Sequence, residues 1–386
     1  MRNATCVGAG AAAAFLSGAG FAQAQEAAFK PRARIQFDIV SSDWDTQADE
    51  GAYGSIRRAF LGGQGRLSEH WRYKADFVLT PDTDAIFDDA YLEYDGGSWS
   101  VLIGEHKIAT PLEDQTSSLD LSFNESVSFV SAFGYGRRAG VGAIVAGDNW
   151  SAAAAVQGDS LNSLEGGETN SDALYVSSRV TYAPVLHSGE GGLTLVHLGA
   201  STRFRELGDE SPQRYRARPL NGRGARWIDA GSGLGGERDF SYGIEAALQR
   251  GRFGAQAEYV ILDGDSVAGA DFTFSGYYVD LFWSLTGESR NYRAGTGSFG
   301  AVRPSSPVTE GGPGHWMLAA RYDFLDLSDS AGGASRGEQS AYALGLDWVP
   351  VRHVRFKLNY AVSDMDRTLG PDESAQIVSF RTQLDY

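Results

Sequence analysis

The stretch SIRRAFLGGQGRL, Ser55 to Leu67, sets two arginines side by side in what reads as a β-strand. A guanidinium is a permanent planar cation whose fork of N–H donors suits phosphate or carboxylate. Adjacent strand residues point to opposite faces, so Arg57 and Arg58 are expected on opposite sides of the sheet. Ala59, Leu61, Gly63, Gly65 and Leu67 form the apolar set, which leaves Arg58, Phe60, Gln64 and Arg66 on the other face. Arg57 then falls near the strand's outer end, within reach of headgroups or a loop. Arg58 needs an inner face that holds water.

Other chemistries find little support. The histidines (His70, His106, His187, His197, His315, His353) show no metal-ligand spacing. GRGARWIDAGSGLGGE, from Gly222, is rich in glycine but lacks the strand–helix setting of a phosphate loop, and reads as a flexible extracellular loop. DTDAIFDDA lacks the glycine and terminal glutamate of a calcium loop. An enzyme would need a base beside a hydroxyl nucleophile, and no motif pairs Ser with His, so an outer-membrane barrel enzyme is the alternative of a different class. No cofactor is expected.

Arg2, the weakly apolar Val7–Phe21 and Ala22-Gln23-Ala24 stand in the order of an export signal. Residues 1–24 are expected to be removed, placing the chain outside the cytoplasm. Cys6 is the only cysteine and lies in that segment, so the mature chain has no disulfide and no thiolate site. The formal charge of −16 makes the chain a poor partner for nucleic acid.

Alternation with a period of two runs through the mature sequence. In HWRYKADFVL the apolar set is Trp71, Tyr73, Ala75, Phe77 and Leu79, with Arg72, Lys74 and Asp76 between. HVRFKLNYA sets Val354, Phe356, Leu358 and Tyr360 against Arg355, Lys357 and Asn359. This is the half-buried strand signal. The strands are long, with aromatics at the ends of the apolar face, as in a membrane barrel with aromatic girdles. Sixteen candidates begin near positions 32, 55, 71, 86, 98, 138, 149, 173, 193, 240, 253, 272, 316, 341, 352 and 377. The prediction is an all-β, 16-stranded antiparallel transmembrane β-barrel over 25–386 with a water-filled lumen. Short turns such as YDGGSW and WVPVRH read as periplasmic. The long connections Ser41–Gly54, Gly158–Ser171, Glu206–Asp239, Gly287–Gly314 and Leu327–Glu338 read as extracellular.

The segment SIRRAFLGGQGRLSEHWRYKADFVL, followed in order by IFDDAYLEY, LIGEHKIATPLEDQTSS, LVHLGASTRFRE, SGYYVDLFWSLTGESRNYR and YALGLDWVPVRHVRFKLNYAVSD, resembles the phosphate-selective porin O and P family. The resemblance implies a homotrimeric outer-membrane porin of a Gram-negative bacterium, passing small anionic solutes. It implies a loop folded into the lumen, here Ile108–Tyr135. It places Arg57 and Arg58 at the constriction, with Phe60 where phosphate-binding members carry tyrosine and Asp88 as a constriction carboxylate. Thr116, Ser117 and Ser118 match the loop's hydroxyl-rich stretch, which can donate to an oxyanion. Arg203 and Arg205 match part of an arginine ladder. Arg290, Arg293 and Arg303 match basic positions beside a late extracellular loop.

The sequence departs from that pattern in the loop. Asp114 stands where a lysine follows the Leu-Glu pair, and Leu119 replaces a second lysine. Thr110–Phe133 holds Glu113, Asp114, Asp120 and Glu125 and no Lys or Arg. The lumen-facing charges assigned by alternation balance, so wall ion pairs are the expected state of most. A weak to moderate anion preference is expected, with a general porin as the alternative.

Overall fold

The computed structural model describes residues 28–45, 51–80, 86–163, 173–207, 213–222, 224–232, 234–329 and 336–386. The expected export signal lies outside these residues. The first nine strands are β1 (Ala28–Trp44), β2 (Gly51–Arg66), β3 (Trp71–Val78), β4 (Phe87–Asp95), β5 (Trp99–His106), β6 (Arg138–Ala146), β7 (Trp150–Gln157), β8 (Leu174–Gly189) and β9 (Gly192–Glu206). A small ribbon, β10 (Arg216–Ala217) and β11 (Ile228–Asp229), precedes β12 (Gly236–Arg250), β13 (Phe253–Ser266) and β14 (Asp271–Ser284). A second ribbon, β15 (Asn291–Arg293) and β16 (Ser298–Gly300), precedes β17 (His315–Asp326), β18 (Gly337–Val351), β19 (Val354–Arg367) and β20 (Glu373–Asp385). All but the two ribbons form one closed barrel of sixteen strands, with β1 hydrogen-bonded to β20. The seam is completed by Tyr386 N–H donating to Ala33 O at 2.8 Å, and Ala33 N–H to Tyr386 O at 3.1 Å.

Alternation produces this wall because its two faces meet different solvents. On β14, Val279, Leu281 and Trp283 are exposed outward while Tyr278, Asp280 and Phe282 are buried inward. Closure leaves no strand edge unpaired, which lipid requires. The outer face carries two aromatic belts. Near the end that bears the C-terminus, Trp316 stacks on Trp348 at 5.3 Å and Trp283 on Phe253 at 6.1 Å. Toward the other end run Tyr259, Tyr277, Tyr322 and Tyr342, with centroids 4.9–6.2 Å apart along the row.

The core sits inside the barrel. The connection between β5 and β6 turns inward and carries two short helices, α1 (Leu112–Gln115) and α2 (Ser128–Ala132). Its entry passes through Ala109 at φ 57°, a left-handed conformation costing a non-glycine residue about 1–3 kcal/mol. The ribbon β10–β11 packs beside it. Phe129, Phe133, Tyr215, Trp227, Phe274 and Tyr278 form one buried apolar cluster between these segments and the wall. Burying each such side chain contributes about 1.5–3 kcal/mol.

One expectation is corrected. Gly287–Gly314 does not join the extracellular loops. It connects the twelfth and thirteenth barrel strands, β14 and β17. Strand parity therefore puts it at the end of the short turns and the C-terminus, the periplasmic end. There it folds inward: Ser289 Oγ donates to Gly251 O at 2.8 Å in a short turn, and Phe299 is 1% exposed. Arg290 and Arg293 accordingly belong to the periplasmic half of the lumen.

Candidate functional site

The inward segments leave an internal cavity of about 1160 Å³. Its wall includes Arg218 and Arg226 from the β9–β12 connection, Arg57 and Arg58 at mid-height, and Lys30, Arg352 and Tyr386 at the periplasmic end. The cavity thus touches residues from both ends of the barrel.

Arg57 and Arg58 both face it, against strict alternation. On β2, Arg58 pairs with Gln36 but the next β1 residue, Phe37, pairs with Ile56. Arg57 is the extra residue of a β-bulge, which places two residues opposite one and re-aims a side chain. The outward position expected for Arg57 is therefore replaced by an inward one. Its Nε and Nη2 donate to Glu125 Oε1 and Oε2, each at 2.9 Å. Arg58 donates to Gln36 Oε1 at 3.3 Å. Below it, Arg34 donates to Ser118 Oγ at 3.4 Å and lies 5.1 Å from the Phe60 ring centroid. Among the described residues, neither Arg34 nor Arg58 has a carboxylate at ion-pair distance.

The loop's four acids are all engaged. Glu113 accepts from Arg321 at 2.8 Å, Asp114 pairs with Lys107 at 3.3 Å, Asp120 with Arg293 at 3.7 Å, and Glu125 with Arg57 and Arg381. Burial alone would raise the Glu125 carboxyl. The Arg57 charge and hydrogen bonds, with Arg381, override it and hold the group at about 2. What the loop presents beside Arg34 is hydroxyl: Ser117 and Ser118 line the cavity. Thr116 also borders it, but its Oγ1 donates to Leu112 O at 2.8 Å and closes the end of α1.

The other named residues take different places. Asp88 lines the cavity bound to Arg137 at 2.9 Å. Asp88 forms a group with Asp76 and Asp89 close enough to share a cation. Arg32 on Asp76, Lys74 on Asp76 and Asp89, and Arg137 on Asp88 and Asp89 already neutralise it. Arg203 and Arg205 stand outside the cavity lining. Arg205 is bound to Asp239, and Arg203 donates to Phe133 O at 2.7 Å and to Gly134 O at 3.3 Å. Arg203 thus holds the C-terminal end of α2, while Arg205 also donates to Gln213 Oε1 at 2.9 Å. The arginines that do line the mouth, Arg218 and Arg226, lie in the stretch read as a flexible loop or just before it. Their signal was the run RYRARPLNGRGARW, five arginines in fourteen residues. Burial, then Arg218 and Arg216 nearby, lowers Arg226 to about 10, well above neutrality.

Along the wall, charges pair with neighbours. Arg321 meets Asp280 and Arg381 meets Asp38 across adjacent strands.

A family model described as phosphate-selective porin O and P matches residues 29–386. A Caulobacter vibrioides protein described as uncharacterized is 34% identical over 93% of this chain and 74% of its own length. Porin O of Pseudomonas aeruginosa is 26% identical over 94% of this chain and 89% of its length. Among solved structures, an anion-selective porin from Comamonas acidovorans superposes with a TM-score of 0.59 at 10% identity, over 93% of this chain and all of that one. OmpT of Vibrio cholerae in a trimer form does so at 0.55 and 9% identity, over 93% of this chain and 99% of that one. At such identities these likenesses carry the fold. The family match over nearly the whole chain, the closed sixteen-stranded wall and its continuous lined cavity lead to one conclusion: the chain belongs to the phosphate-selective porin O and P family and is a porin of the Gram-negative outer membrane.

Proposed function

We propose that the channel works as a homotrimer, conducts passively without a chemical step, and prefers small anions, phosphate among them. One observation carries the selectivity. Arg34 and Arg58 face the cavity without a carboxylate partner among the described residues, beside the Ser117–Ser118 hydroxyls, while every acid of the inward loop is bound to a cation. Selectivity follows the uncompensated charge at the narrow ring. The trimeric and anion-selective neighbours support the reading. The loop offers hydroxyls and no lysine there, so phosphate affinity is modest.

The test is the reversal potential in a potassium chloride gradient across a planar bilayer. Wild type reads anion-preferring, Arg58→Ala shifts toward zero, and Asp114→Lys increases block of chloride current by phosphate. A wild type that prefers cations, unmoved by Arg58→Ala, leaves a general porin in its place.

A further inference from the structure

The first turn of the inward loop starts with no cap of its own. Pro111 precedes α1 and contributes no side-chain hydrogen bond. The free N–H groups of Leu112 and Glu113 are instead taken by the barrel wall. Glu258 Oε2 accepts from Leu112 at 2.7 Å and Oε1 from Glu113 at 2.7 Å. Its neighbour across the β12–β13 ladder, Glu245, accepts from Leu112 at 3.1 Å. Tyr278 donates to Glu258 at 2.8 Å. Both carboxylates are 4% exposed, a burial that is costly unless such donors are supplied.

The same groups also hold the periplasmic segment. Arg179 binds Glu245 and donates to Thr296 O and Gly297 O, each at 2.7 Å. His197 bridges Glu245 at 2.9 Å and the Tyr292 hydroxyl at 2.7 Å. Arg290 donates to Gln256 Oε1 at 2.8 Å, and Gln256 Nε2 reaches Tyr278 at 3.0 Å and Glu113 at 3.3 Å.

We infer that Glu258, assisted by Glu245, is a positioning residue for the constriction, and that the inward segment 285–314 is the second half of the same clamp. The wall carboxylates fix the start of α1; one turn later the chain reaches Ser117 and Ser118 beside Arg34. The periplasmic segment, anchored on Arg179 and Gln256, holds those wall groups from behind. Access from the extracellular and periplasmic sides is thus set by one connected body. The inference rests on the proposed constriction at Arg34 and Arg58, and it concerns how steadily the loop sits, not which ion passes.

Single-channel recordings in potassium chloride test it with Glu258→Gln, Glu258→Ala and Arg179→Met in the full chain. Glu258→Gln keeps the shape but opposes one loop N–H with an amide donor. Loss of the single wild-type conductance level, replaced by flickering sublevels, is expected for all three, with the wild-type sign of the reversal potential retained. A steady single level in Glu258→Gln overturns the clamp, and if Glu258→Ala does not fold, Glu258→Gln decides alone. Sublevels in Glu258→Gln with a quiet Arg179→Met overturn the periplasmic half. A reversed selectivity in wild type defeats the anion reading instead, and is read separately from the noise.

Discussion

Arg57 and Glu125 meet through two parallel hydrogen bonds of 2.9 Å, which pin the inward loop to β2 at its bulge. Glu125→Gln keeps the shape and removes the charge. Hydrogen bonds to charged groups contribute about 1.5–3 kcal/mol each in stability. The folded form on a heat-modifiability gel is expected to convert at a lower temperature. An unchanged transition would show that the loop is held without this pair.

The same carboxyl sets an acid limit. Glu125 titrates at about 2 in place and near ~4.3 when free. Its docking contribution, about 3 kcal/mol by linkage, is full above pH ~4.5 and is lost as pH falls toward 2. Glu113, raised by burial against the pull of Arg321, acts in the opposite direction. Protease accessibility of the loop should therefore not rise from pH 7 to 5 and should rise below 4, and Glu125→Gln should flatten that acid response. A rise beginning above pH 6 would assign it elsewhere.

Arg34 and Arg203 separate conduction from support. Arg34→Ala removes a cation from the cavity wall and is expected to lower anion over cation selectivity. Arg203→Ala removes donors to Phe133 O and Gly134 O behind the loop. It should lower thermal resistance and leave the reversal potential where it was. A selectivity change in Arg203→Ala of the size seen in Arg34→Ala would place Arg203 on the ion path.

At Gly276 the inward loop packs tightly against the wall. A Cβ there would lie 2.6 Å from Phe129 Cβ, whereas one at Gly189 meets nothing within 4 Å. Gly276→Val is expected to cost about 1–3 kcal/mol through overpacking, seen as a lower gel transition. Gly189→Ala is the neutral control. Equal stability in both would mean that α2 yields freely.

The wall was legible because lipid and water enforce a period of two on every strand. That is why each of the sixteen candidate starts falls on or within a few residues of a barrel strand. Arg57 was not legible: one inserted residue reverses a face, and nothing in SIRRAF marks the bulge, which is visible only as Phe37 skipping to Ile56. Length misplaced Gly287–Gly314, although counting twelve strands before it gives the periplasmic end. Arg203 and Arg205 share the inward parity of cavity residues, but a lumen filled by three segments has an inner surface and a packed interior, and parity cannot tell them apart. The acids of the loop were legible as a group. Lys107 lies just before the loop, but the other partners, Arg293, Arg321, Arg57 and Arg381, are scattered through the chain and become neighbours only by closure.

The two aromatic belts fix a length. Between Trp283 and Tyr277 only Val279 and Leu281 face outward. Between Trp316 and Tyr322 there are Leu318 and Ala320, and between Trp348 and Tyr342 there are Leu346 and Leu344. Six residues at ~3.3 Å, inclined by roughly 40°, rise about 15 Å, below the usual apolar band of about 25 Å. On β8 the outward apolar residues extend from Leu174 to Val185, whereas along this sector, β14 to β18, the wall is matched to a thin hydrocarbon layer. A thicker bilayer must dimple to meet it, at a fraction of a kcal/mol for each ångström of mismatch. The strained annulus of lipid shrinks when two barrels share it, so bilayer thickness itself favours their clustering.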